Sequence, residues 1–220
     1  MAKTIYVYNK AFCLLFYMLF ISCSILQSQN SDFVSWTSAG IEYKINTAFT
    51  TFGGLELRTK ENLGEIERLE LDIGAKYALF PFLTFGTGYE MYYRNIPKEN
   101  WGLFHCYYFD TTFSFHLQRI KFILRERFQH TIVEAGNELR IRSRIKLAYD
   151  ILMSELEPYV SVEMYNGLNN GEHFDIKRMR YRGGIVLPLS NRWKIDIFYC
   201  QQRESKKQEN VIGIECLYIF

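Results

Sequence analysis

The sequence predicts an all-β fold: an antiparallel up-and-down transmembrane β-barrel of about ten to twelve strands, preceded by an N-terminal signal peptide. Three observations support this class. The 220 residues include 18 Phe, 16 Tyr and 3 Trp, and aromatic side chains are enriched in strands. Apolar and polar residues alternate with a period of two along most of the chain. The chain begins with a positively charged and then apolar segment that is typical of export.

Residues 1–28 are predicted to be the signal peptide. Lys3 and Lys10 form its positive region, and residues 11–26 form an apolar run shorter than the ~20 residues that a spanning helix needs. The whole chain carries 26 Lys and Arg against 24 Asp and Glu, so it is neutral without these two lysines. A chain with no basic excess is not expected to bind nucleic acid.

Cleavage after Ser28 is favoured and leaves residues 29–220 as one outer-membrane β-barrel domain. Two alternatives stay open. Lipoprotein processing at Cys23 is disfavoured because Phe20 stands where such a motif usually has Leu. An uncleaved anchor helix is disfavoured because its flanks lack a stop-transfer pattern.

Period-two alternation predicts eleven strands after the signal peptide. Leu139, Ile141 and Ile145 share one face of a strand, whereas a helix would spread them around its axis. The predicted strands lie near 33–45, 48–60, 66–79, 82–93, 101–117, 119–130, 137–150, 156–166, 174–187, 192–203 and 210–220.

The predicted connections alternate between short and long. Outer-membrane barrels have short periplasmic turns and longer external loops, so this alternation favours such a barrel. Bacterial single-chain barrels usually have an even number of strands, which conflicts with eleven. We therefore expect that residues 29–36 thread the lumen or add a short strand, or that one assigned strand lies outside the wall.

The alternating pattern alone does not say which face points outward, because a secreted lipocalin-like barrel has the same alternation with its apolar face inside. Strand length favours the lipid-facing arrangement, since membrane strands need ~9–11 residues and soluble strands mostly have ~5–6. The apolar face also carries aromatic residues at its ends, as an interfacial girdle does: Trp101, Trp193, Tyr149 and Phe220.

The opposite face would line the lumen and carries charges of both signs. A narrow barrel with such a lining is expected to pair its charges internally, because a charge held away from water is costly unless paired. We expect the arginines of residues 137–150 to pair with Glu157 and Glu163 on the next strand. The alternative is a channel whose basic wall favours anions or binds an acidic ligand. The candidate lumen-lining residues are Arg125, Arg127, Arg140, Arg142, Arg144, Glu157, Glu163, Arg178, Arg180 and Arg182.

The C-terminal residues alternate up to a terminal Phe220, which resembles the signal that barrel-insertion machinery recognises in outer-membrane proteins. Together with outer-membrane lipid, this machinery is the predicted partner. Five segments resemble the uncharacterised bacterial outer-membrane barrel family labelled domain of unknown function 2490: 32–38 (DFVSWTS), 139–147 (LRIRSRIKL), 156–163 (LEPYVSVE), 177–184 (KRMRYRGG) and 195–199 (IDIFY). The resemblance implies a Gram-negative outer-membrane location and a barrel, and it brings no catalytic or ligand residues.

No cofactor or metal site is predicted. The four histidines lack spacings such as HExxH, and no CxxC occurs. Cys200 and Cys216 fall on opposite faces of adjacent predicted strands, so a disulfide between them is not expected.

Catalysis at the outer rim is a further alternative, since some small outer-membrane barrels are lipid hydrolases or acyltransferases. His105, His130 and His173 fall near predicted external strand ends, with Asp175 close by. No GxSxG motif occurs, and Ser143 lies in mid-strand, far from that rim. We therefore predict that the protein is not an enzyme.

Overall fold

The computed structural model describes residues 31–96, 100–133, 136–168, 175–205 and 207–220, so the predicted signal peptide and His173 lie outside the described residues. In the described part of the chain, no helix is long and apolar enough to cross a membrane. The described residues form eleven strands: β1 Ser31–Lys44, β2 Phe49–Lys60, β3 Glu65–Phe80, β4 Leu83–Ile96, β5 Asn100–Leu117, β6 Ile120–Val133, β7 Gly136–Tyr149, β8 Glu157–Gly167, β9 Asp175–Pro188, β10 Trp193–Glu204 and β11 Gln208–Ile219. Each predicted strand is confirmed, with bounds that differ by no more than three residues.

The strands form one closed barrel in which β1 lies between β2 and β11. Every consecutive pair is antiparallel, so an odd count makes β1 and β11 run in the same direction. At their ends, the Phe220 N–H donates to the Glu42 carbonyl oxygen at 2.8 Å. At their starts, Lys207 Nζ lies 3.9 Å from Asp32 Oδ2. We name the two ends of the barrel the Phe220 rim and the Asp32 rim.

The expectation that the strand count is off by one is therefore wrong. Residues 31–44 form the wall strand β1 and do not thread the lumen. A parallel seam between the first and last strands closes an odd barrel and still pairs the backbone groups of both edges, which is the condition that closure must meet.

The predicted alternation of short and long connections is also wrong. At both rims the connections contain between two and seven residues. The strands continue through polar residues that the sequence pattern assigns to loops. Thus Asn95 still pairs with Trp101, and Thr131 with Glu138. Backbone pairing extends beyond the apolar band because it does not depend on side-chain hydropathy.

The two faces have opposite polarity. Large apolar side chains point outward, as shown by Leu55, which is 62% exposed, and Ile73, which is 49% exposed. Glu90 and Glu163 point inward and are 7% and 6% exposed. The interior also holds one apolar cluster: Val34, Trp36, Ala148, Tyr159, Phe198, Cys200 and Val211.

Aromatic rings line both rims on the outer face. At the Phe220 rim, Trp193 and Tyr218 have ring centroids 4.8 Å apart, and the Phe80 and Phe82 rings stack at 5.4 Å. At the Asp32 rim, Trp101 stacks on Tyr93 at 5.0 Å. The sequence-based placement of aromatic residues at the ends of the apolar face is confirmed.

Candidate functional site

Carboxylates and guanidinium groups are unevenly distributed over the inner face, although Arg58 and Arg68 pair with Glu56 and Glu70 on β2 and β3. The ten predicted lumen residues all lie on the inner face, because a spacing of two keeps side chains on one side of a strand. Inward carboxylates gather on β2 to β5: Glu56, Glu70, Asp72, Glu90 and Asp110. Inward guanidinium groups gather on β6, β7 and β9: Arg125, Arg127, Arg140, Arg142, Arg144, Arg178, Arg180 and Arg182. We call these two surfaces the acidic wall and the basic wall.

Glu163 is the main acceptor within the basic wall. Its Oε1 accepts hydrogen bonds from Arg125 Nη2 at 2.7 Å and from Arg142 Nη2 at 3.1 Å. Arg180 Nη1 lies 3.6 Å from Oε2, which also accepts a hydrogen bond from the Tyr165 hydroxyl at 3.0 Å. One carboxylate thus joins strands β6, β7, β8 and β9, and the predicted pairing of the β7 arginines with Glu163 is confirmed for Arg142.

The other two β7 arginines do not behave as predicted. Arg140 pairs with Glu138 on its own strand. Arg144 lies directly opposite Glu163, yet within the described residues its guanidinium forms no ion pair. The carboxylate opposite Arg144 is that of Glu163, and one of its oxygens already accepts hydrogen bonds from Arg125 and Arg142.

Glu157 does not pair with any of the β7 arginines, which corrects the second predicted partner. The β7–β8 ladder ends at Ala148 opposite Tyr159, so Glu157 lies beyond the last paired position. The register places Glu157 at the Phe220 end of β8, away from the position where Glu163 contacts the arginines.

Arg127 joins the basic wall to the acidic wall. Its Nε and Nη2 donate to the two Asp110 oxygens at 2.6 and 2.8 Å, and its Nη1 donates to Glu90 at 2.7 Å. The guanidinium carbon lies 3.6 Å from the centroid of the Tyr108 ring. The Tyr108 hydroxyl in turn donates to Asp72 at 2.9 Å. A guanidinium that binds one carboxylate through two nitrogens and a second carboxylate through the third holds its partners in one geometry.

Aromatic rings inside the lumen contact guanidinium groups. The candidate lumen residues predicted from the sequence are all charged and do not include these aromatic residues. Arg58 and Arg180 lie 4.1 and 4.5 Å from the Trp36 ring centroid. Arg142 lies 4.6 Å from the Tyr165 ring. The period of two places Trp36 and Tyr165 on the charged face, so the sequence pattern could have identified them as lumen residues.

Cavities remain between these side chains. One of about 380 Å³ lies between the acidic and basic walls and is lined by Glu70, Glu90 and Arg140 among others. Another of about 170 Å³ lies against Trp36 and Arg144. The two share lining side chains: Glu56, Arg58, Arg125, Arg142, Arg180 and Glu215. Chemically, such surfaces bind and orient anions through charge-assisted hydrogen bonds.

The described residues contain no group of three His, Cys, Asp or Glu side chains arranged to hold a metal ion. Cys106, Cys200 and Cys216 are free thiols. On the outer face, His105 Nδ1 lies 2.5 Å from the Tyr89 hydroxyl, so this imidazole is hydrogen-bonded to a tyrosine.

Comparison with known proteins places the chain in a family. No curated protein matches it. The family model described as "Protein of unknown function (DUF2490)" matches residues 33–212, a stretch that runs from β1 into β11 and so spans nearly the whole barrel. The chain belongs to the DUF2490 family of proteins of unknown function.

Proposed function

We propose that this chain is an outer-membrane β-barrel of a Gram-negative bacterium, in contact with outer-membrane lipid. The observation that carries the proposal is the polarity of the wall, which is apolar outside and charged inside. A soluble protein rarely exposes contiguous apolar surface on this scale, whereas a bilayer requires it. Aromatic residues at both rims support the same proposal, because Trp and Tyr favour membrane interfaces.

We propose further that the lumen is closed by its own charges and forms a narrow structural or ligand-binding barrel. A barrel of about 8 strands encloses little more than side chains, and one of about 16–18 strands leaves a water-filled channel. A barrel of eleven strands lies between these sizes, so the side chains that line its lumen determine whether it is open. Arg127 reaches from the basic wall to Glu90 and Asp110 on the acidic wall. Glu163 gathers three further guanidinium groups near the centre.

Three measurements test these proposals. The protein should fractionate with the outer membrane, and the refolded barrel should show heat-modifiable gel mobility; recovery from the periplasm would contradict the location. In planar bilayers the refolded barrel should give small or no single-channel steps. Large, stable, anion-selective steps would instead support the second candidate function, a small solute channel favouring anions, which the excess of guanidinium groups around the cavities favours.

The proposal contains no catalytic step. The enzyme alternative is tested by assaying the refolded barrel for phospholipase and acyltransferase activity. Turnover above that of a heat-denatured control would support the enzyme alternative and contradict the proposal of a non-enzymatic barrel.

Insertion is proposed to depend on the barrel-insertion machinery, through the last strand β11 and the exposed ring of Phe220.

A further inference from the structure

The cavity of about 170 Å³ has an excess of positive charge in its lining. Six guanidinium groups face it, against three carboxylates. The cations are Arg58, Arg125, Arg142, Arg144, Arg180 and Arg182, and the carboxylates are Glu56, Glu163 and Glu215. The lining therefore carries about three uncompensated positive charges in an enclosed space, where an unpaired charge is costly.

Arg144 is the clearest case. No carboxylate of the described chain lies within ion-pair distance of its guanidinium, although Glu163 is its cross-strand neighbour. The Nε–H groups of Arg125, Arg142 and Arg144 are buried and have no acceptor among the described residues. Buried donors are normally hydrogen-bonded, so these three groups favour a ligand that accepts hydrogen bonds.

Aromatic rings relieve some of these charges but do not neutralise them. Arg58 and Arg180 lie against the Trp36 ring, and the Arg182 guanidinium carbon lies 3.4 Å from the Phe198 ring centroid. A ring offers a polarised face and no net negative charge. The charge excess of the cavity therefore persists after every protein contact is counted.

We propose that this cavity binds a small oxyanion, with Arg144 and Arg125 as its main charged donors and the Ser161 hydroxyl as a further donor. Ser161 lines the cavity and is buried. Guanidinium groups match phosphate and carboxylate oxygens in geometry as well as in charge. The inference rests on the proposed charge-filled lumen but is independent of membrane location.

The size of the cavity limits the ligand. A cavity of about 170 Å³ has room for several water molecules, or for an ion the size of inorganic phosphate. The serine hydroxyl and the guanidinium N–H groups approach from several directions. They therefore favour an oxyanion, which has several separate oxygen acceptors, over chloride, which is a single spherical acceptor.

The test uses the full chain refolded in detergent, with inorganic phosphate as the probe. Equilibrium dialysis at constant ionic strength, balanced with chloride, should show saturable binding of one phosphate per barrel. Phosphate should also raise the unfolding temperature, because a ligand that binds only the folded state stabilises it.

Four variants locate the site. Arg144→Gln should weaken phosphate binding at least tenfold, and Ser161→Ala should weaken it several-fold with little risk to folding. Glu163→Gln should tighten binding, because it releases the guanidinium groups that Glu163 now occupies. Arg94→Gln is the control, since Arg94 pairs with Glu67 outside this cavity, and it should bind phosphate as the wild type does.

Absence of saturable phosphate binding by folded wild-type protein overturns the inference. Binding that is unchanged in both Ser161→Ala and Arg144→Gln, or in Ser161→Ala if Arg144→Gln does not fold, also overturns it. Failure of the proposed function is distinguishable. A soluble protein or a large conductance would contradict that function, while phosphate binding to the refolded barrel is measured separately.

Discussion

The Ser143 hydroxyl donates a hydrogen bond to the Glu126 carboxylate on the outer face of the barrel, with Oγ and Oε2 2.6 Å apart. The two residues lie directly opposite each other on β7 and β6, halfway along both strands. Thr111 lies opposite Glu126 on its other side. Exposed apolar residues such as Phe128 and Ile145 surround this group. The middle of the apolar band therefore contains one polar interruption.

Glu126→Leu is expected to stabilise the barrel in lipid vesicles. A lipid-facing charge at the midplane costs ~2–4 kcal/mol for Arg or Lys and less for Glu, so a gain of about 1 kcal/mol is expected. Urea unfolding in vesicles measures it. Glu155→Leu, an exposed change in the connection between β7 and β8, is the matched control and should change the unfolding free energy little. A loss of stability in Glu126→Leu would contradict the lipid-facing assignment.

Ile141→Arg should impair insertion more than Arg142→Gln. Ile141 belongs to the outward set, and a lipid-facing Arg near the midplane costs ~2–4 kcal/mol. Removing Arg142 is milder because Glu163 keeps Arg125 and Arg180 as partners. Folding yields of the two variants in lipid are to be compared side by side, and equal yields would contradict the assignment of Ile141 to the lipid-facing side and Arg142 to the lumen.

Glu163→Gln should lower the free energy of unfolding by about 3–5 kcal/mol, because several buried guanidinium groups lose one shared carboxylate. Glu204→Gln is the control. Its carboxylate pairs with Arg178 and is 34% exposed, so the loss should be below about 1 kcal/mol. Urea titration in detergent compares the free energies of unfolding of the two variants. A similar decrease in both would contradict the central role of Glu163 in the ion-pair network.

Gly213→Ala should destabilise the barrel by about 1–3 kcal/mol through overpacking, because a Cβ at this position overlaps the Phe198 ring. The same change at Gly53 is the control, since a Cβ there finds its nearest neighbour at 3.7 Å. Unfolding temperatures report the difference. Adding Phe198→Leu to Gly213→Ala should restore part of the loss, and no restoration would mean that Phe198 is not the obstacle.

Phe220→Ala should reduce the yield of inserted barrel in cells more than the stability of the refolded barrel. The Phe220 ring is 60% exposed and packs against Tyr43 and Tyr218, whereas its backbone bond to Glu42 survives the substitution. Membrane-inserted protein is quantified beside the unfolding temperature of purified protein. Unchanged insertion would argue against recognition through this residue.

The strands and their faces could be predicted from the sequence because the pleat imposes a fixed period of two. That period placed Arg140, Arg142 and Arg144 on the charged face without any knowledge of their neighbours. Ser143 interrupts the apolar set of the same strand, but the sequence does not reveal that Glu126 lies opposite it.

Closure and pairing were decided only by the tertiary structure. The parallel seam between β1 and β11 depends on how the whole sheet curls, which no local pattern records. Glu163 bonds Arg125 from β6 and Arg142 from β7 and lies near Arg180 from β9. Its direct neighbour Arg144 has no carboxylate partner in the part of the chain that the structure describes. Long guanidinium side chains select partners by register and by distance across the lumen, and both follow from the closed barrel rather than from sequence spacing.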